Sequence, residues 1–231
     1  MTPIVLVPGL LCSADVFAAQ IGALWRYGSV SAVNTLDQTT IVEMASSVLE
    51  SAPSQFALCG ISMGGYVALE IMRQSPERVV KLALLDTSAR PDVPEQTAAR
   101  LTLLARARDS ADFVSFAVEA LDQIMIPEHR GVESIRVINR RMATAVGLDG
   151  FARQTDAVIA RVDSRFLLPA ISVPTLILVG DGDLLTPPDQ SREMAAAIPD
   201  STLVVVPECG HASTLEQPEV VNEALLDWIR C

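Results

Sequence analysis

With 231 residues, half of them hydrophobic, the chain suits one domain with a large apolar core. A formal net charge of −11 argues against nucleic acid and anionic membrane as partners. No apolar run approaches the roughly 18–20 residues that cross a bilayer, so the positive mean hydropathy fits a parallel sheet covered on both faces.

The first apolar run, Ile4–Val7, has no basic segment before it and is broken by Pro8 and Gly9. It reads as a strand instead of a secretory leader, and the expected location is cytoplasmic. A helix over about 15–25 follows, then a strand over 29–34. The spacing of Ile41, Met44, Ala45, Val48 and Leu49 predicts an amphipathic helix over 40–51. From Gln55 to Leu69 the chain reads as a buried strand, a tight turn at Ser62, and a helix starting near Met63. A fourth strand, Leu82–Leu85, ends at Asp86.

Between about 88 and 166 there are only helical patterns, such as Leu101/Leu104/Ala105, Phe113/Val114/Ala117/Leu121 and Ile135/Ile138/Met142. Alternation resumes with a strand over 175–179, a helix over 188–197 and a strand over 203–206. The last helix uses Val221, Ala224, Leu225 and Trp228, with Pro218 as its first residue. This rhythm predicts an α/β fold, a doubly wound parallel sheet built from residues 1–87 and 167–231. Residues 88–166 form a helical cap inserted after the fourth strand, at the edge where such sheets bind ligands. Cys12, Cys59, Cys209 and Cys231 show no CxxC or zinc-like spacing and read as free, mostly buried thiols. No residue cluster suggests a metal or an organic cofactor.

Gly60-x-Ser62-x-Gly64 fits a nucleophile elbow, in which a serine is held on a strained strand-to-helix turn. Five residues alone are weak evidence, and a turn with Ser62 as a helix cap would look the same. The apolar strand before it and Val67, Ala68, Ile71 and Met72 at helical spacing after it favour the elbow. A serine needs a neighbouring base, and the chain has two histidines. His129 lies in a polar loop of the insertion and reads as a solvated surface residue. His211 follows a strand through Pro207-Glu-Cys-Gly, at the same sheet edge as Ser62. An acid must orient the base. Asp183 is chosen because it follows the neighbouring strand on a longer turn. Asp181, flanked by Gly180 and Gly182, suits a turn role, and Asp86 is the outside rival.

The order Ser62…Asp183…His211 is that of α/β-hydrolases. The chain resembles the small-esterase group of that superfamily, which includes pimeloyl-type methyl esterases and enol-lactone hydrolases. The likeness is carried by Gly-Ile-Ser62-Met-Gly-Gly, Gly180-x-x-Asp183-x-x-x-Pro187, Gly210-His211 and the Pro8-Gly9-Leu10-Leu11 loop. It covers nearly the whole chain outside the insertion. Where the family usually has His-Gly after the first of these strands, this chain has Pro8-Gly9. The chain begins at what is usually the family's third strand, so six strands, all parallel, are expected.

The resemblance implies a serine hydrolase that cleaves a small-molecule carboxylic ester or lactone through an acyl-enzyme. Its nucleophile would be Ser62, its base His211 and its acid Asp183, with the Leu10 and Met63 amides as the oxyanion hole. The alternatives are a carbon–carbon bond hydrolase or perhydrolase with the same triad, or a small-molecule receptor with little turnover. A serine nucleophile counts against dehalogenases and epoxide hydrolases. Lys81 precedes its strand at the opposite end of the sheet, which counts against hydroxynitrile lyases. Substrate-facing candidates are Leu11, Leu121, Ile124, Met125, Met142 and Phe151, each equally suited to helix packing. Arg100, Arg106, Arg136, Arg140 and Arg153 read as solvated helix faces instead of carboxylate anchors. The sequence does not choose between neutral and acid-bearing substrates or set the oligomeric state.

Overall fold

Ile4–Val7 is buried at all four positions because both faces of its strand are covered. Ile4 and Leu6 join one core cluster, Val5 and Val7 the other. The same double burial explains why Phe56–Ile61 and Thr175–Gly180 are apolar without alternation.

A computed structural model describes residues 1–230; Cys231, expected as a free thiol, lies outside the described residues. In chain order the elements are β1 (Ile4–Val7), α1 (Ala18–Leu24), β2 (Val30–Ala32), α2 (Ile41–Ser51), β3 (Phe56–Ile61), α3 (Met63–Gln74) and β4 (Val79–Leu85). Then come α4 (Pro94–Asp109), α5 (Phe113–Gln123), α6 (Glu133–Ile159), β5 (Thr175–Gly180), α7 (Pro188–Ala197), β6 (Ser201–Val206), α8 (Ser213–Glu216) and α9 (Pro218–Arg230). Short 3₁₀ turns punctuate the connections, among them Ala14–Phe17 and Pro127–His129.

The six strands form one sheet in the order β2-β1-β3-β4-β5-β6, and every pairing is parallel. The chain winds outward in both directions from β1 and β3, so the topological switch lies between their carboxyl ends, where open α/β sheets bind ligands. Pro8-Gly9-Leu10 leaves β1 there, and Ser62 leaves β3 beside it.

Lys81 lies within β4 instead of before it. Its Nζ donates to Trp228 O at 3.1 Å, near the amino end of the strand and away from Ser62. The strand is longer than its apolar run because Val79 and Val80 also join it.

Between β4 and β5 the chain runs through α4, α5 and α6. Leu104, Ala107, Ala117, Leu121 and Met142 from these helices join one core cluster, so the segment is packed continuously with the sheet. Helix α6 bends at Gly147, whose φ of 64° and ψ of 172° break the helical backbone. Asn139 and Met142 lie before the bend, Phe151 and Gln154 after it.

Candidate active site

Ser62 has φ 54° and ψ −118°, a conformation that residues with a Cβ rarely adopt. Its amide donates to Leu85 O at 2.9 Å, and its carbonyl accepts from Thr87 Oγ1 at 2.8 Å and Gly65 N at 2.9 Å. These bonds hold the strained turn from β3 into α3. Close approach explains the glycines: a Cβ at Gly64 would come within 2.0 Å of Val7 O. One at Gly65 would meet Thr87, so that glycine admits the neighbouring strand's loop and not the strand before it.

His211 follows β6 and is nearly buried, with its amide donating to Ile124 O at 3.0 Å. Its Nε2 lies 2.8 Å from Ser62 Oγ and its Nδ1 2.8 Å from Asp183 Oδ2. With the carboxylate accepting, Nδ1 carries the proton and Nε2 is left to accept from the serine hydroxyl. Asp183 also accepts from Leu185 N at 2.8 Å, Thr186 N at 3.0 Å and Thr186 Oγ1 at 2.7 Å. Burial works to raise the Asp183 carboxyl, but the His211 charge and these hydrogen bonds outweigh it and hold the group below its ordinary range. Burial likewise works to lower His211, and the Asp183 charge and hydrogen bond, with Asp86 adding to them, raise it above an ordinary histidine.

The two rival carboxylates serve the same loops from other places. Asp181 Oδ1 accepts from Cys209 N at 3.2 Å. Asp86, fully buried with φ 44°, accepts from Gly180 N at 3.2 Å and Ser213 N at 3.1 Å. Burial, then the Asp183 charge, push its carboxyl up to about 7.

Neither Leu10 N–H nor Met63 N–H has a protein partner among the described residues, and both residues line the cavity above Ser62. The next amide, Leu11 N–H, donates to Gln154 Oε1 at 3.0 Å, which holds Leu11 at φ 63°. Helix α6 thus fixes this loop, and Pro8 supplies no side-chain hydrogen bond to it.

The cavity, about 260 Å³, is lined by Leu11, Leu121, Ile124, Met125 and Met142. Phe151 lies outside the lining; it is buried after the α6 bend with its ring 6.1 Å from that of Phe113. Arg100, expected on a solvated helix face, is partly exposed; it also lines the cavity and donates from Nε to Asp92 Oδ2 at 2.8 Å. His129 differs from its expected solvated role: its Nδ1 lies 3.0 Å from Oε2 of Glu216, whose side chain is fully buried.

Sequence reasoning missed Glu216, Gln154, Thr186 and Asn139. Asn139 carried a signal, since it interrupts the apolar face made by Ile135, Met142 and Val146. The others sit in unremarkable polar positions. Among the described residues no group of histidine, cysteine or acidic side chains could hold a metal ion, and no helix is long and apolar enough to cross a membrane.

The sequence profile of the alpha/beta hydrolase family matches residues 4–224. A pimeloyl-[acyl-carrier protein] methyl ester esterase from Nitrosomonas europaea is 28% identical over 201 residues, which is 81% of this chain and 75% of that protein. A thermophilic esterase from Thermogutta terrifontis, solved with malate bound, superposes with a TM-score of 0.86 at 31% identity, covering 100% of this chain and 90% of that one. The enol-lactonase from Burkholderia xenovorans has the same fold, with a TM-score of 0.88 at 24% identity over 100% of this chain and 92% of its own.

Proposed function

The chain belongs to the alpha/beta hydrolase family, and from that premise we propose that it hydrolyses carboxylic esters or lactones through an acyl-enzyme on Ser62. The observation that carries the reading is the line from Asp183 through His211 to Ser62, with 2.8 Å at each end of the imidazole. His211 Nε2 takes the Ser62 proton as Oγ attacks the substrate carbonyl. The carbonyl oxygen becomes the oxyanion, held by the Leu10 and Met63 amides and by the amino end of α3. When the tetrahedral species collapses, His211 returns the proton to the leaving alkoxide, which departs as the alcohol; in a lactone it stays tethered to the acyl group. Water then gives a proton to His211 and attacks the acyl carbon. A second collapse frees the acid and restores Ser62 Oγ–H. Asp183 stabilises the imidazolium in both halves.

Supporting this reading, Leu10 and Met63 keep free N–H groups while the amide that follows Leu10, at Leu11, is occupied by Gln154. The esterase names of the two relatives agree with the reaction class. In the same reading, residues 88–166 act as a cap, with α4, α5 and α6 closing the acyl cavity over Ser62.

A fluorophosphonate probe and a panel of aryl esters of increasing acyl length test the proposal. The wild-type protein should be labelled and should turn over short esters, and Ser62→Ala should lose both properties while staying folded. Retained turnover in folded Ser62→Ala overturns the reading.

A further inference from the structure

The cavity over Ser62 is lined mainly by apolar side chains, with Gln96, Arg100, Asn139 and Thr186 among the polar ones beside Ser62 and His211. Asn139 on α6 lines it and is 2% exposed. Its amide has no hydrogen-bond partner among the described residues. The group is not sealed off, so an occupant of the cavity, solvent or ligand, can satisfy it.

Arg100 on α4 lines the same cavity. Its Nε is taken by Asp92, and no described residue accepts from its two Nη groups. Asp92 is itself shared, because its other oxygen accepts from Arg161 Nη1 at 2.5 Å. Arg161 is further fixed with its guanidinium carbon 4.3 Å from the centroid of the Tyr66 ring. One buried carboxylate therefore serves two guanidinium groups, and Arg100, the more exposed of the two, is the one that lines the cavity. Arg100 and His211 line the same cavity, so one ligand filling it can reach both.

Resting on the reading of Ser62 as nucleophile, we propose that Arg100 and Asn139 form an anion subsite for a carboxylate on the acyl part of the substrate. The substrates are then half-esters of short dicarboxylic acids, or lactones that carry a carboxylate. The Arg100 Nη groups offer a planar donor fork matched to a carboxylate, and Asn139 adds an amide donor. The cavity, about 260 Å³, suits a short acyl chain.

The test compares monophenyl glutarate with the neutral amide of the same shape, phenyl glutaramate. Wild type should favour the acid in kcat/KM by at least roughly tenfold, and in Arg100→Met the ratio should fall toward one. Asn139→Asp, which adds a negative charge at nearly constant shape, should reverse the preference, and it stands in if Arg100→Met fails to fold by circular dichroism. A ratio near one in wild type overturns the subsite, and so does a preserved ratio in a folded variant.

If neither ester is turned over, the nucleophile reading fails and calorimetry with free glutarate decides the subsite separately. Binding to wild type and Ser62→Ala that weakens about tenfold or more in the folded Arg100 or Asn139 variant upholds it. Equal binding, or none to wild type, overturns it.

Discussion

His129 Nδ1 lies 3.0 Å from Glu216 Oε2, and this pair joins the turn after α5 to the loop that carries His211. The same Oε2 accepts from Ile126 N at 3.1 Å. Oε1 accepts from Gly210 N at 3.0 Å and Ala212 N at 3.1 Å, the two residues flanking His211. One buried carboxylate thus fixes the imidazole's backbone from both sides and ties it to the helices above.

Glu216→Gln keeps the shape but replaces one accepting oxygen with an amide NH₂. Either the Gly210 and Ala212 amides or the Ile126 amide and His129 then lose their acceptor. The expected cost is about 1–3 kcal/mol of stability, read as a lower Tm, with kcat falling more than KM rises. His129→Ala should have a smaller effect in the same direction, because the three backbone donors remain.

Asp183→Asn should lower kcat by about a thousandfold or more, since an amide facing Nδ1 favours the wrong imidazole tautomer. Thr186→Val removes the 2.7 Å hydroxyl bond to Asp183 and leaves the rest of the loop in place. A drop in kcat of roughly tenfold is expected there, in line with the loss of one hydrogen bond to a charged group. Steady-state kinetics on one ester series checks both.

The raised His211 pKa sets the direction of the pH profile. The neutral imidazole accepts the serine proton, so kcat/KM should rise with pH through a midpoint above the roughly 6.5 of an ordinary histidine. Asp86→Asn removes a negative charge that favours the imidazolium and should move the midpoint down. Arg100→Met should move it up. Asp86 also enters the stability curve: its carboxyl is raised in the folded protein to about 7, so the folded state binds this proton more tightly than the unfolded chain. Its contribution is present below the ordinary carboxylate range and is lost as pH rises toward about 7. Thermal unfolding at several pH values, with Asp86→Asn alongside, measures this loss.

Gly64→Ala would place a Cβ 2.0 Å from Val7 O, against backbone that cannot turn aside. The change should separate α3 from β1 and cost more than the ~1 kcal/mol typical of a point substitution. A large fall in Tm, or no soluble protein, is the expected result; near-wild-type stability would contradict the packing described for the elbow.

The strand-to-helix turn at Ser62 and the strand-end loops that carry Asp183 and His211 were legible because each is local, a strand end followed by small residues whose backbone demands are written in sequence. The choice of Asp183 over Asp181 and Asp86 had only loop length behind it, yet the hydrogen bonds separate all three. Contacts across the fold were not legible. Leu11 N–H meets Gln154, 143 positions away, and Ile126 N–H meets Glu216, 90 positions away. Arg100 shows the same limit: its side chain is 29% exposed, but its pairing with Asp92, eight positions earlier, was not legible. Phe151 shows the limit of periodicity: it is buried against Phe113 outside the cavity lining, while Val158, seven residues on, lines it.

The bend at Gly147 divides one helix into two arms. Before it, Asn139 and Met142 line the cavity over Ser62; after it, Val158 lines the same cavity and Gln154 grips the loop beside Ser62. The first arm can therefore change, by drift or by design, without loosening the hold of Gln154 on that loop.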